Sequence, residues 1–151
     1  MDGAGADAPY CTMPVADYVT RANQETFVII QLEEPKAVEQ AEDIARVNGV
    51  DAIMLGPADF SLFCGIPGQM DHQLIRDASR RIANAAKAAG KIWGQPSPSP
   101  QHTQQLLEMG AKLIFHMADI VMVKNGLEKI QKDFGPVGFT FNNRTDLIAE
   151  I

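Results

Sequence analysis

Two acidic residues stand at positions where a chain of this kind can do chemistry. Glu33 closes the run Phe27-Val28-Ile29-Ile30-Gln31-Leu32-Glu33, and Asp59 follows the run Val50 to Leu55 within Gly56-Pro57-Ala58-Asp59. Strand alternation puts Gln31 and Glu33 on one side, with Phe27 and Ile29 beneath them. Glu33 and Asp59 lie about one strand–helix–strand step apart, so both carboxylates are expected to project from neighbouring strand ends into one mouth. Two ionised carboxylates held close repel unless a cation is shared between them. Paired carboxylate oxygens with room for water and substrate suit Mg²⁺ or Mn²⁺. The Gly56-Pro57 turn is expected to leave the amides of Ala58 and Asp59 facing the mouth, available to a substrate carboxylate. The plainer alternative is a pair of solvated strand-end acids, one of them capping the next helix.

Other polar residues compete for attention. His116 ends a later strand and is a candidate acid or base, though a hydrogen-bonded wall residue is the ordinary role for a single histidine there. His72 and His102 fall near helix starts and read as surface residues. Trp93 reads as core, with pocket lining as the alternative. Ser97 and Ser99 read as turn and cap residues, since no G-x-S-x-G elbow is present. Arg76, Arg80 and Arg81 read as the solvated face of one helix. Glu34 is expected to cap the helix starting at Pro35 and leave the mouth to Glu33. Cys64 has no evident activator, and Asn143-Arg144-Thr145 matches a glycosylation sequon by chance.

The elements that position these residues alternate in period. After a short-residue opening (1–13), expected to be mobile, a helix runs from about Pro14 to Gln24. A helix from Pro35 to near Gly49 carries Ala37, Val38, Ala41, Ile44 and Ala45 on one face, with proline in its first turn and glycine past its end. The loop from Phe63 to Asp71 leads to a helix ending at Ala89, whose buried face is Leu74, Ile75, Ala78, Ile82, Ala85, Ala86 and Ala89. Lys91 to Gly94 is a third strand. Ser99-Pro100 reads as N-cap and first turn of a helix carrying Leu106 and Leu107. Ala111 to Phe115 is a fourth strand, and Ile120, Val121, Val123, Leu127 and Ile130 mark a last helix.

Apolar strands alternating with helices mean a parallel sheet, here (β/α)4 over 14–141 followed by a tail, 142–151. A closed (β/α)8 barrel takes about 250 residues, whereas this chain has 151. The expected fold is therefore α/β, a parallel half-barrel equivalent to the second half of a TIM barrel. No glycine-rich phosphate loop follows the first strand.

Composition bounds the partners. Thirteen Lys+Arg against 19 Asp+Glu leave a formal charge of −6, which argues against nucleic acid or an acidic membrane surface. Apolar residues make up 46% of the chain, as in globular proteins. No apolar run approaches the roughly 20 residues that span a bilayer. Two cysteines cannot build a disulfide framework and suit a reducing cytosol, so a cytoplasmic location is expected.

The two motifs together resemble a known family. Gln31-Leu32-Glu33 followed by Gly56-Pro57-Ala58-Asp59-Phe60-Ser61 is similar to the QIE and GPADLS signatures of the HpcH/HpaI aldolase family. The resemblance continues through Gly65 to Gln69, Gly90 to Gly94 and Ala118 to Lys124. It implies a divalent-metal-dependent class II aldolase or lyase with Mg²⁺, Mn²⁺ or Co²⁺ held by Glu33 and Asp59. It further implies that Gln31 contacts the substrate, and that the amides of Ala58 and Asp59 hold its carboxylate. The reaction implied makes or breaks a C–C bond of a 2-oxo acid, with an aldehyde as partner, through a pyruvate enolate. The resemblance covers only the second half of the family's barrel; its substrate-binding arginine and catalytic histidine belong to the first half and have no counterpart here. Two alternatives follow: a non-catalytic half-barrel that needs a partner, and a CoA-ester lyase of the citrate lyase β type. Open sheet edges also predict a homo-oligomer.

Overall fold

Four short apolar runs form one parallel sheet. In the computed structural model, which describes residue 10 and residues 12–141, they are β1 (Ile29–Leu32), β2 (Ala52–Leu55), β3 (Ile92–Pro96) and β4 (Leu113–Phe115). They are ordered β1-β2-β3-β4 in the sheet. β1 and β2 pair in parallel with Gln31 opposite Met54, and Met54 in turn lies opposite Gly94 on β3. Helices fill the steps between strands: α1 (Val15–Glu25) before β1, α2 (Pro35–Glu39) and α3 (Ala41–Ala45) after it, and α4 (Pro57–Phe63) and α5 (Gln73–Ala88) after β2. α6 (Pro100–Glu108) follows β3, and α7 (Asp119–Phe134) with a 3-10 turn at Gly135–Val137 follows β4.

The chain divides into two units, residues up to Ile114 and residues from Phe115. The first holds the core. Ile30, Leu32, Ile53, Leu55, Trp93 and Ile114 pack with Ile75, Ala78, Ile82, Ala86 and Leu106 of the helices. Trp93 is core, as expected, and its indole N–H donates to the Met109 carbonyl at 3.1 Å. In the second unit, α7 has no buried residue. The expected mobile opening, apart from residues 10, 12 and 13, the tail at 142–151 and the sequon lie outside the described residues. Among the described residues no helix is long and apolar enough to cross a membrane.

Several boundaries differ from expectation. The helix expected from Pro35 to Gly49 is two short ones, because Gln40 leaves helical geometry at φ −101°, ψ 12°. β3 runs two residues further than expected, through Gln95 and Pro96, because the buried Gln95 side chain has a partner on α5. On α5, Leu74 is exposed, whereas Ser79 and Ala83 are buried. Glu34 occupies the N-cap position of α2, yet its side chain makes no capping hydrogen bond. Ser99 does cap α6, accepting from the His102 amide. The Ser97 hydroxyl donates to the Ser99 carbonyl and meets a ring nitrogen of half-buried His102.

Candidate functional site

Proline ends β1 and starts α2. Pro35 lacks an N–H and fits the first turn of a helix, so the chain turns directly after Glu33-Glu34. β2 is closed the same way, with Gly56 at the N-cap and Pro57 in the first turn of α4. A helix, Pro57–Phe63, starts at the expected turn and places Ala58 and Asp59 in its first turn. First-turn amides have no intrahelical acceptor. Gly56 makes no side-chain cap, so the amides of Ala58 and Asp59 have no acceptor within the helix.

The ends of β1 and β2 are tied together. The Gly56 amide donates to the Leu32 carbonyl at 2.9 Å. At the other end the Asp51 carboxylate accepts from the Val28 amide at 2.8 Å. Gly56 is buried, and its φ of −94° is open to any residue. It is glycine for room. A Cβ there would lie 2.7 Å from Gln31 Nε2 and 2.8 Å from Glu33 Cγ. The Gln31 and Glu33 side chains therefore fold over the Gly56 backbone, and the Gln31 amide donates to the Glu33 carboxylate. That contact uses the nitrogen of the Gln31 side chain and not its oxygen.

Ser61, buried inside α4, was not singled out by sequence reasoning. Its hydroxyl donates to the Ala58 carbonyl at 2.6 Å and accepts from the Gly68 amide at 3.1 Å. It thus fixes the first turn of α4 and draws in the following loop, whose Gly65 and Gly68 adopt positive φ. The only signal in the sequence was its place in the second motif.

Gln31, Glu33 and Gly56 are brought together, and Asp59 sits three residues beyond Gly56 on the exposed side of α4's first turn. The cradle suits a hard cation: its donors are carboxylate and amide oxygens, with no thiol or imidazole, and it is open to water. Among the described residues no three His, Cys, Asp or Glu side chains converge, so a cation there would complete its shell with water and substrate. His116 is exposed and belongs to the second unit. Cys64 is half-buried at the end of α4, and Arg76, Arg80 and Arg81 are exposed. Two grooves lie elsewhere. One of about 540 Å³ runs between α5 and α6 past Ile75, Ser79, His102 and Leu106, and one of about 620 Å³ runs past Val38, Phe60, Cys64 and Leu74. Neither is lined by Gln31, Glu33 or Asp59.

Comparison with known proteins identifies the family. A family model described as HpcH/HpaI aldolase/citrate lyase matches residues 6–125. A hydroxypyruvate/pyruvate aldolase of Delftia acidovorans is 34% identical over 110 residues, covering 73% of this chain and 41% of that protein. A 5-keto-4-deoxy-D-glucarate aldolase of Escherichia coli is 30% identical over 120 residues, covering 80% of this chain and 47% of that protein. The crystal structure of an HpcH/HpaI aldolase from Desulfitobacterium hafniense superposes with a TM-score of 0.73 at 27% identity, covering 89% of this chain and 51% of that one. The chain spans about half the length of the relatives it matches.

Proposed function

Because the chain belongs to the HpcH/HpaI aldolase/citrate lyase family, we propose that Gln31, Glu33, Ala58 and Asp59 form the metal- and substrate-holding wall of an aldolase or lyase site for a 2-oxo acid. Glu33 and Asp59 would hold a divalent cation, Mg²⁺, Mn²⁺ or Co²⁺. When bound, such an ion supplies Lewis acidity toward the oxygens of a 2-oxo acid. Gln31, held by Glu33, orients the substrate, and the first-turn amides of Ala58 and Asp59 donate to its carboxylate. No lysine is required as a nucleophile. A small aldehyde is the expected second product.

The observation that carries this reading is the glycine at position 56, whose missing Cβ is the space that Gln31 and Glu33 fill. Thermal unfolding tests the reading. Millimolar Mn²⁺ or Mg²⁺ is expected to raise the melting temperature, pyruvate to raise it further only when the ion is present, and Glu33→Ala and Asp59→Ala to abolish both effects.

One observation favours a second reading, a half-barrel without its own reaction: the chain spans 41–47% of the aldolases it matches. A melting temperature indifferent to millimolar divalent ions would select it. A CoA-ester lyase ranks third, and protection by a CoA thioester would select that one.

A further inference from the structure

The run Gly65 to Gln69 lies outside the cradle of Gln31, Glu33 and Gly56, yet it is tied to the helix that carries Asp59. Gly65 and Gly68 sit at φ +70° and +75°, a left-handed geometry that glycine adopts without steric cost. Pro67 between them has its own φ fixed by its ring. In this conformation the loop folds back on α4. The Ile66 amide donates to the Ser61 carbonyl at 2.9 Å, and the Gly68 amide donates to the Ser61 hydroxyl at 3.1 Å. Ile66 also packs against the core, so the loop is anchored on one side and grips Ser61 on the other.

Asp59 has no such support of its own. Its carboxylate takes no hydrogen bond or ion pair among the described residues, so only the backbone of α4 aims it. α4 has seven residues, short of the roughly 12 that an isolated helix needs to hold its geometry. Two of them are buried, Phe60 and Ser61. Phe60 anchors by apolar packing, which is non-directional and resists rotation about the helix axis weakly. Ser61 adds direction. Its hydroxyl donates to the Ala58 carbonyl at 2.6 Å while accepting from Gly68, so one oxygen joins the first turn of α4 to the loop. Rotating a helix by about 20° carries a side-chain atom about 6 Å from its axis through about 2 Å. Metal–ligand distances are held to about 0.2 Å.

We propose that Ser61, gripped by the Gly65–Gln69 loop, is the positioning residue that sets the aim of Asp59 for ion binding. It acts through the backbone of α4. The inference rests on the reading of Glu33 and Asp59 as the ion-holding pair and assigns a role to residues outside that pair. Gly68 enters through its amide alone, and exposed as it is, it matters to ion affinity because its φ delivers that amide to Ser61.

Calorimetric titration with Mn²⁺ and amide hydrogen exchange on the ion-free chain test it. Ser61→Ala is expected to weaken Mn²⁺ binding about tenfold and, without any ion, to speed exchange of the Gly68 and Phe60 amides. Ser79→Ala removes a buried hydroxyl from α5 instead; it is expected to lower the melting temperature and leave both readouts unchanged. Gly68→Ala, strained at φ +75° with the Ser61 hydroxyl intact, is expected to weaken Mn²⁺ binding several-fold. Should Ser61→Ala fail to fold, Gly68→Ala carries the test. A native chain that binds Mn²⁺ and keeps its affinity in both Ser61→Ala and Gly68→Ala overturns the proposal while leaving the metal reading in place. Equal losses of affinity in Ser61→Ala and Ser79→Ala also overturn it, because they trace to stability alone. Affinity lost in Ser61→Ala but kept in Gly68→Ala overturns the part given to the loop. A native chain that binds no Mn²⁺ overturns the metal reading and this inference with it.

Discussion

The Gln31 side-chain amide donates to the Glu33 carboxylate two residues along the same strand, and both side chains rest on the bare backbone of Gly56. A contact between residues at alternate positions of β1 depends on what the neighbouring strand leaves empty. Gly56→Ala is therefore expected to displace both side chains. Its φ of −94° suits alanine, so the cost is steric, about 1–3 kcal/mol as for other overpacked sites. Chemical denaturation measures that cost, and the same variant is expected to lose protection by divalent ions.

Gly94→Ala is the harsher change. At Gly56 the obstacles are side-chain atoms that can rotate, whereas at Gly94 they are the carbonyl and Cβ of Leu113 on β4. Relief requires β4 to move off β3. Denaturation is expected to show a loss larger than that of Gly56→Ala.

Beneath β3, the Ser79 hydroxyl donates to the Gln95 side-chain oxygen at 2.6 Å, and both residues are buried. Ser79→Ala leaves that oxygen without its donor at no gain in packing, an expected cost of about 1–3 kcal/mol. A melting temperature equal to that of the native chain would show that water takes over the role.

The pH dependence has one identifiable contributor. The Glu42 carboxyl is held below its ordinary range by a hydrogen bond from its own backbone amide and, next, by the Arg81 guanidinium. Arg81 reaches from α5 to Glu42 at 2.9 Å and to the Glu39 carbonyl at 2.8 Å, joining α2 and α3 to α5. A carboxyl lowered by folding stabilises the folded state at pH values above its unfolded pKa. That contribution is lost as pH falls through the folded value. Both side chains are more than a third exposed, so solvent screening limits the pair to about 0–1 kcal/mol. Glu42→Gln is expected to flatten the acid limb of stability against pH slightly, by lowering stability at pH 7 by no more than that amount while leaving it unchanged in acid below the folded value.

Much of this arrangement was legible in the residues. Alternating periods revealed four strands and the helices between them, and Ser99-Pro100 announced the start of α6. The two motifs carried the family resemblance and placed Gln31 and Glu33 on the same side of a strand. What escaped notice depended on tertiary context. The Gly56-Pro57 pair was read as a turn, although proline after an N-cap glycine also begins helices, and α4 went unseen. The break at Gln40 leaves no mark in an apolar face that continues through Ala41 and Ile44. Ser61 and Gln95 look like ordinary polar residues until the backbone atoms they serve are brought beside them. The room at Gly56 is visible only once β1 and β2 are paired.

Titration of the native chain with Mn²⁺, followed by calorimetry, tests the central claim most directly. One ion per chain is expected. Glu33→Gln and Asp59→Asn are each expected to weaken binding by at least about tenfold, or ~1.4 kcal/mol, while Glu34→Gln leaves it unchanged. Binding that survives both substitutions, or that fails with Glu34→Gln and not with Glu33→Gln, would contradict the assignment of Glu33 and Asp59 as the pair that holds the ion.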